Sequence, residues 1–244
     1  MRIDAAELAF HGLNRQIQTA INSGEMTLEL DNVCGQRYIA AGLAVRAEIS
    51  VNGTPGNNIG CFMAGARVMV RGNVQDCAAN TMSAGEIIVH GRAGDVLGYA
   101  MRGGRVFIRD DAGYRAGIHM KSYKDCEPVI IIGGCAGSYL GEYMAGGMLV
   151  VLGLDRHDDR PLAGDFTGTG AHGGEIFIRG AIDDRRLGRE VGIVQLTDDN
   201  WHKLLPHLLD FAREFNVDHA LLERDRFIRL SPISHRPYGS IYAQ

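Results

Sequence analysis

A repeat of nineteen residues constrains this chain more than any other feature of its sequence. Aliphatic residues recur at this spacing in two columns, and both columns resume after insertions of five and eight residues. The first column comprises Ile49, Val68, Ile87, Val106, Ile130, Leu149 and Ile176. The second comprises Val51, Val70, Val89, Ile108, Ile132, Val151 and Ile178. Columns that stay in phase over several units are typical of a solenoid, in which each unit contacts only its neighbours.

Methionines and small residues follow the same period. The methionine column comprises Met63, Met82, Met101, Met120 and Met144, and Ala171 closes it. Three residues before these lie Gly60, Ala79, Gly98, Gly117, Gly141 and Gly168. The two aliphatic columns are two residues apart, so they occupy one face of a short strand. Strands stacked about 4.8 Å apart can bury such a face. The repeat therefore predicts an all-β solenoid, a parallel β-helix of about 19 residues per turn with the methionines in its core.

The residues before the repeat predict an N-terminal helical cap over 1–24. An apolar stripe favours a helix over 4–23, with Asp4 as its N-cap and Gly24 as its end. The β-helix itself is predicted over 25–180, starting with a strand at 26–30.

Beyond the repeat, residues 181–244 predict a C-terminal helix and an extended tail. A closing strand is expected over 191–196, before a helix that Asp198 or Asp199 caps and that extends through Asn216. Pro206 is expected to kink or split that helix near Leu205, because proline lacks the N–H that a helix interior needs.

Composition narrows the classes of function. The formal net charge of −4 gives no electrostatic reason to expect nucleic acid or an anionic membrane as a partner. No leader peptide and no run of about 18–20 apolar residues is apparent, which favours a cytoplasmic protein. The five cysteines form no CxxC pair, and reduced structural thiols are expected rather than a metal site.

No motif predicts a catalytic, cofactor-binding or metal-binding residue. Residues 168–173 match GxGxxG, but a strand follows them where the dinucleotide fingerprint requires a helix. The insertion at 154–165 contains His157 among carboxylates, and a polar loop tip is the simpler interpretation than a metal or acid–base site. The charged column Glu48, Arg67, Glu86 and Arg105 alternates in sign, so its members are expected to neutralise one another.

The middle residue of each strand forms an apolar stripe on the outside of the predicted β-helix. Its members are Met69, Ile88, Phe107, Ile131, Val150 and Phe177. A stripe of this length exceeds what a monomer usually exposes, so it is a candidate interface. One candidate cover is the chain's own C-terminal helix, through Leu204, Leu205, Leu208 and Leu209. The other is a partner subunit or a second copy of the chain.

The units at 94–108 and 137–151 resemble the GXGXG domain, the C-terminal domain of the glutamate synthase large subunit. Each contains a glycine, a methionine three residues later, and a Gly-Gly pair before the strand. The resemblance covers roughly residues 30–180, and the segments at 117–124 and 236–239 are similar to stand-alone versions of the domain. It implies a right-handed parallel β-helix. One of the subunits of formylmethanofuran dehydrogenase shares the repeat.

In glutamate synthase, amide nitrogen passes from glutamine to 2-oxoglutarate, and other domains carry the chemistry. An amidotransferase domain uses an N-terminal cysteine, and a synthase barrel holds FMN and an iron–sulfur cluster. This chain begins Met1-Arg2 and lacks cluster-type cysteine spacing. The resemblance therefore implies a non-catalytic structural subunit without a cofactor, partnered by amidotransferase and FMN/iron–sulfur synthase subunits. The alternatives are a component of a formylmethanofuran dehydrogenase, formyl-transfer or methylglutamate synthase complex, and a stand-alone β-helix enzyme acting on a polymer.

Overall fold

The computed structural model describes residues 1–156 and 160–233. His157 and the segment at 236–239 lie outside the described residues. Two α-helices are present in the described part, α1 at Phe10–Asn22 and α2 at Asp198–Phe215. The strands β1 to β11 run over Arg2–Asp4, Thr27–Cys34, Glu48–Thr54, Ala64–Arg71, Ala84–Val89, Arg105–Ile108, Val129–Ile132, Ala145–Val151, Gly173–Arg179, Val191–Val194 and Phe227–Pro232.

The strands confirm the predicted parallel solenoid. From β1 to β9 each strand pairs in parallel with the next, in sequence order. The paired residues are those of the sequence columns: Ile49 lies opposite Val68, and Val68 lies opposite Ile87. Across the first insertion Val106 pairs with Ile130, so the five extra residues loop out without shifting the register. Side-chain period and stacking together therefore set the register of the sheet.

The interior is apolar along the whole stack. Both aliphatic columns and the methionine column belong to one core cluster. The five methionines are at most 1% exposed, which places them in the core as predicted. A second ladder of parallel bridges, from Val74 through Ala93, Ala112 and Ala136 to Ala163, closes another side of the coil.

The N-terminal segment differs from its prediction. Residues 2–4 form β1, which pairs with Glu29–Asp31 of β2, so Asp4 ends a strand and does not cap a helix. The helix begins only at Phe10, with Ala9 at the N-cap position and no side-chain cap. The exposed–buried–exposed alternation of residues 2–4 suits an edge strand, and pairing with β2 outweighs the local helical pattern. The buried side of α1 still joins the main core, through Leu13, Ile17, Ala20 and Ile21.

The C-terminal segment returns to the sheet. The expected closing strand forms as β10, but β11 inserts antiparallel between β9 and β10. The N-cap of α2 is Thr197 and not Asp198 or Asp199, because Thr197 and Asn200 form a capping box. Of the two outcomes expected at Pro206, a kink or a split, the split does not occur, because α2 continues through this residue. Both Pro206 and His202 are exposed. Water can therefore reach the His202 carbonyl that loses its helical partner.

Candidate interaction surface

The outer apolar stripe lies beneath helix α2. Ile88, Phe107, Ile131, Val150 and Phe177 are at most 2% exposed and share a cluster with Leu204, Leu208, Phe211 and Ala212 of α2. The sixth member, Met69, is half-buried at the edge. Of the four leucines proposed as the cover, Leu204 and Leu208 are buried, whereas Leu205 and Leu209 are half-buried. The chain's own helix therefore covers this stripe along most of its length.

Aromatic contacts hold the helix in place. The rings of Phe107 and Phe211 meet edge to face, with centroids 5.6 Å apart. Phe211 also contacts Phe215 at 4.7 Å, and Phe215 meets the His90 ring at 5.1 Å. Such pairs are worth about 0.5–1.5 kcal/mol each beyond the area that they bury.

The charged column binds the same helix. Arg67 and Arg105 each reach Glu86 at 2.8 Å, as the alternating signs predict. Arg67 also pairs with Glu214 of α2 at 3.0 Å, and Arg105 with Asp210 of α2 at 2.5 Å. No local pattern indicates these two pairs, because the partners are 147 and 105 residues apart in sequence. The ladder is thus a network of half-buried ion pairs that positions α2.

The column loses its charges where the helix packs most closely. Beyond Arg105 its next members in the sheet register are Val129 and Met148, and both are 2% exposed. Glu175 restores a charge at the following strand and accepts from Arg229 at 2.7 Å and Asn200 at 2.8 Å. Glu86 and Glu175 on this face are therefore occupied by structural partners and do not form an acid–base cluster.

The thiols and the other potential ligands give no reactive centre among the described residues. All five cysteines are free thiols. Burial raises the pKa of the Cys61, Cys77 and Cys135 thiols, which disfavours the thiolate needed for nucleophilic attack. Within residues 1–156 and 160–233 no group of three His, Cys, Asp or Glu side chains is placed to hold a metal ion.

Of the two α-helices in the described part of the chain, neither is both long and apolar enough to cross a bilayer.

The GxGxxG match has a structural role in the coil. Gly168 lies opposite Val191, and β9 follows the motif as a strand at Gly173–Arg179. A helix N-terminus that could bind a pyrophosphate is therefore absent at this motif.

A second surface, at the tight turns, carries exposed aromatic rings. His119 and Tyr143 lie on successive turns with their rings stacked, 5.2 Å apart and 13° from parallel. Tyr99 meets His119 edge-on at 5.9 Å. We call Tyr99, His119 and Tyr143 the aromatic stack. All three side chains are exposed.

The backbone fixes the outward direction of these rings. His119 and Tyr143 adopt left-handed φ values of 56° and 53°, and each N–H donates at 2.9 Å to a carbonyl of the next turn. The sequence held a signal for two of the three rings, since His119 and Tyr143 belong to the column formed by the residue before each core methionine, together with Phe62, Thr81 and Ala100.

Comparison with known proteins agrees with this geometry. The sequence profile described as GXGXG motif matches residues 6–228. The chain belongs to the GXGXG family. This is the family of the glutamate synthase C-terminal domain. A relative from Methanocaldococcus jannaschii, described as an uncharacterized protein, is 46% identical over 248 aligned positions, which cover 98% of this chain and 95% of the relative.

Family membership accounts for the glycine column of the GXGXG chain. A Cβ at Gly60 would lie 2.4 Å from Ile87 Cδ1, and one at Gly98 would lie 2.3 Å from Ile130 Cδ1. These glycines therefore leave room for the isoleucines of the core column. In this chain the glycine column of the motif therefore serves the packing of the core.

Proposed function

We propose that this GXGXG protein is a non-catalytic structural subunit of a glutamate-synthase-type complex. The observation that carries the proposal is the family match over residues 6–228, since the corresponding domain of glutamate synthase has an architectural role. The paired carboxylates and the raised thiol pKa values support a scaffold rather than an enzyme. The chemistry would then belong to partners: an amidotransferase subunit that releases the amide nitrogen of glutamine, and a synthase subunit that holds FMN and an iron–sulfur cluster.

Co-expression with candidate amidotransferase and synthase subunits tests this proposal. We expect the three chains to co-purify and to form glutamate from glutamine and 2-oxoglutarate with a suitable reductant. Omission of this chain should lower the yield or stability of the complex while leaving glutamine hydrolysis by the amidotransferase measurable. A parallel co-expression with formylmethanofuran dehydrogenase subunits is the comparison, and co-purification with those subunits but not with the glutamate synthase subunits would contradict the proposal.

A further inference from the structure

We infer that a groove beside helix α1 binds a small aromatic carboxylate, an activity that is independent of the proposed function. The groove lies between one side of α1 and the first turn of the coil, residues 35–43. Its volume is about 330 Å³. This is at the lower end of the roughly 300–1,000 Å³ that small-molecule sites enclose. We call it the α1 groove, and its polar and aromatic side chains are Phe10, His11, Asn14, Arg15, Gln18 and Tyr38.

The walls of the α1 groove carry cations and no acids. Neither α1 nor residues 35–43 contain an Asp or Glu, in a chain that has 29 of them, and exposed Glu7, which precedes α1, does not line the groove. Arg15 lines it, and the Arg37 guanidinium carbon lies 4.9 Å from the centre of the Phe10 ring. In the described part of the chain no carboxylate lies within 4.0 Å of either guanidinium. The groove is therefore complementary to an anion.

The α1 groove is formed before any ligand binds. The Asn14 amide donates to the carbonyls of Phe10 and Arg37, both at 2.8 Å, and so ties α1 to the turn. The Phe10 and Tyr38 rings lie with their centroids 6.0 Å apart and their planes 50° from parallel. The Tyr38 N–H donates to the Asn57 carbonyl of the next turn at 3.1 Å, which holds its backbone in place. A site that is already ordered loses little conformational entropy on binding.

These side chains select one class of anion. The planar guanidinium of Arg15 can donate two parallel hydrogen bonds to a carboxylate, whereas a phosphate dianion calls for more positive charge than one arginine supplies. The Phe10 and Tyr38 rings favour an aromatic group on the ligand, through offset or edge-to-face contacts. Because the walls contain no acid, the ammonium group of a free amino acid would lose water without gaining a partner. The ligand is therefore an aromatic carboxylate without a cationic group.

Titration of the full chain with para-hydroxybenzoate tests the inference. Amide NMR spectra should shift at α1 and residues 35–43, with a Kd of about 1 mM or below. Two ligands with the same ring are the matched controls. Tyramine, which carries an ammonium group and no carboxylate, should not bind, and para-cresol, which is neutral, should bind at least about tenfold more weakly. Binding of para-cresol as tight as that of para-hydroxybenzoate would mean an apolar groove only and would overturn the inference.

An arginine substitution gives the second readout. Arg15→Gln should weaken para-hydroxybenzoate at least about tenfold, and Arg15→Lys should recover part of the affinity because it retains the charge. Arg15 is exposed, so both variants should unfold at the wild-type temperature. The control Arg71→Gln removes an exposed cation from another surface, beside His90, and should bind as the wild type does. Wild-type affinity in Arg15→Gln, or no shift at the groove with about 10 mM ligand, would overturn the inference and leave the proposed function intact.

Discussion

The ring of Phe211 in α2 meets the ring of Phe107 in β6 edge to face, with 72° between their planes. This contact joins the C-terminal helix to the middle of the solenoid. It also explains why an outward-pointing stripe can be apolar, because Phe107 is 2% exposed beneath the helix. The outer face of the strands is therefore part of a second core, separate from the interior of the coil.

Charges introduced into the second core should prevent folding. We expect the double variant Phe107→Asp, Ile131→Asp to lose its cooperative unfolding transition, because two carboxylates would be buried beneath α2 without partners. Phe62→Asp is the control, since the Phe62 side chain is 61% exposed. Thermal unfolding followed by circular dichroism distinguishes the two. A double variant that folds with unchanged stability would mean that α2 does not cover these residues in solution.

Truncation within the methionine column should also be costly. Met101 is 0% exposed, and we expect Met101→Ala to lower the free energy of unfolding by about 2–5 kcal/mol. Met26→Ala is the comparison, because Met26 is 38% exposed and should change stability by less than about 0.5 kcal/mol. Denaturant unfolding measures both values. A loss below about 1 kcal/mol at Met101 would contradict its place in the core.

The solenoid could be predicted because its sequence pattern is periodic. The pairing of Ile87 involves only its own strand and the two neighbouring strands, and those strands repeat the same pattern of residues. The ion pairs within the ladder followed from the same register, as the contact of Arg67 with Glu86 illustrates.

The contacts that depend on distant residues could not be predicted in this way. The pairing of β1 with β2 and the insertion of β11 beside β9 satisfy edges of the sheet, and no local pattern specifies which segment does so. The pair of Arg105 and Asp210 likewise depends on where α2 settles. The stripe indicated that a cover exists, but the choice between α2 and a partner required the structure.

Helix α2 should loosen in mild acid. Burial, together with the nearby Arg105, lowers the pKa of His207 from its ordinary 6.5, so the folded state favours the neutral imidazole. The unfolded chain then takes up the proton first, and stability falls as the pH drops from about 6.5 towards the folded pKa. Above pH 7 this histidine contributes no pH dependence. We expect His207→Gln to flatten the decrease in unfolding free energy between pH 7 and 5, and an unchanged slope would assign the effect to other groups.

The isolated chain should bind neither flavin nor iron. The described residues provide no set of metal ligands, and the GxGxxG segment leads into a strand. We expect protein purified without denaturant to lack the visible absorbance of FMN and to contain less than about 0.1 equivalents of iron by elemental analysis, well below one site per chain. The FMN/iron–sulfur synthase subunit, prepared in parallel, serves as the positive control. Stoichiometric flavin or iron in this chain alone would contradict the proposed division of roles.

Whether a position in the glycine column can hold a Cβ should depend on the core residue that faces it. At Gly98, which has a φ of 68°, a Cβ would lie 2.3 Å from Ile130 Cδ1. Ala79 holds the equivalent place one turn earlier, also with positive φ, and the column residue corresponding to Ile130 is there Val106, which has no δ-methyl group. We therefore expect Gly98→Ala to cost about 2–4 kcal/mol, from overpacking and left-handed strain together. Adding Ile130→Val should recover the overpacking part, even though Ile130→Val alone destabilises by about 0.5–1.5 kcal/mol. A double-mutant cycle in denaturant measures the coupling, and additive losses would show that Gly98 and Ile130 do not meet in the core.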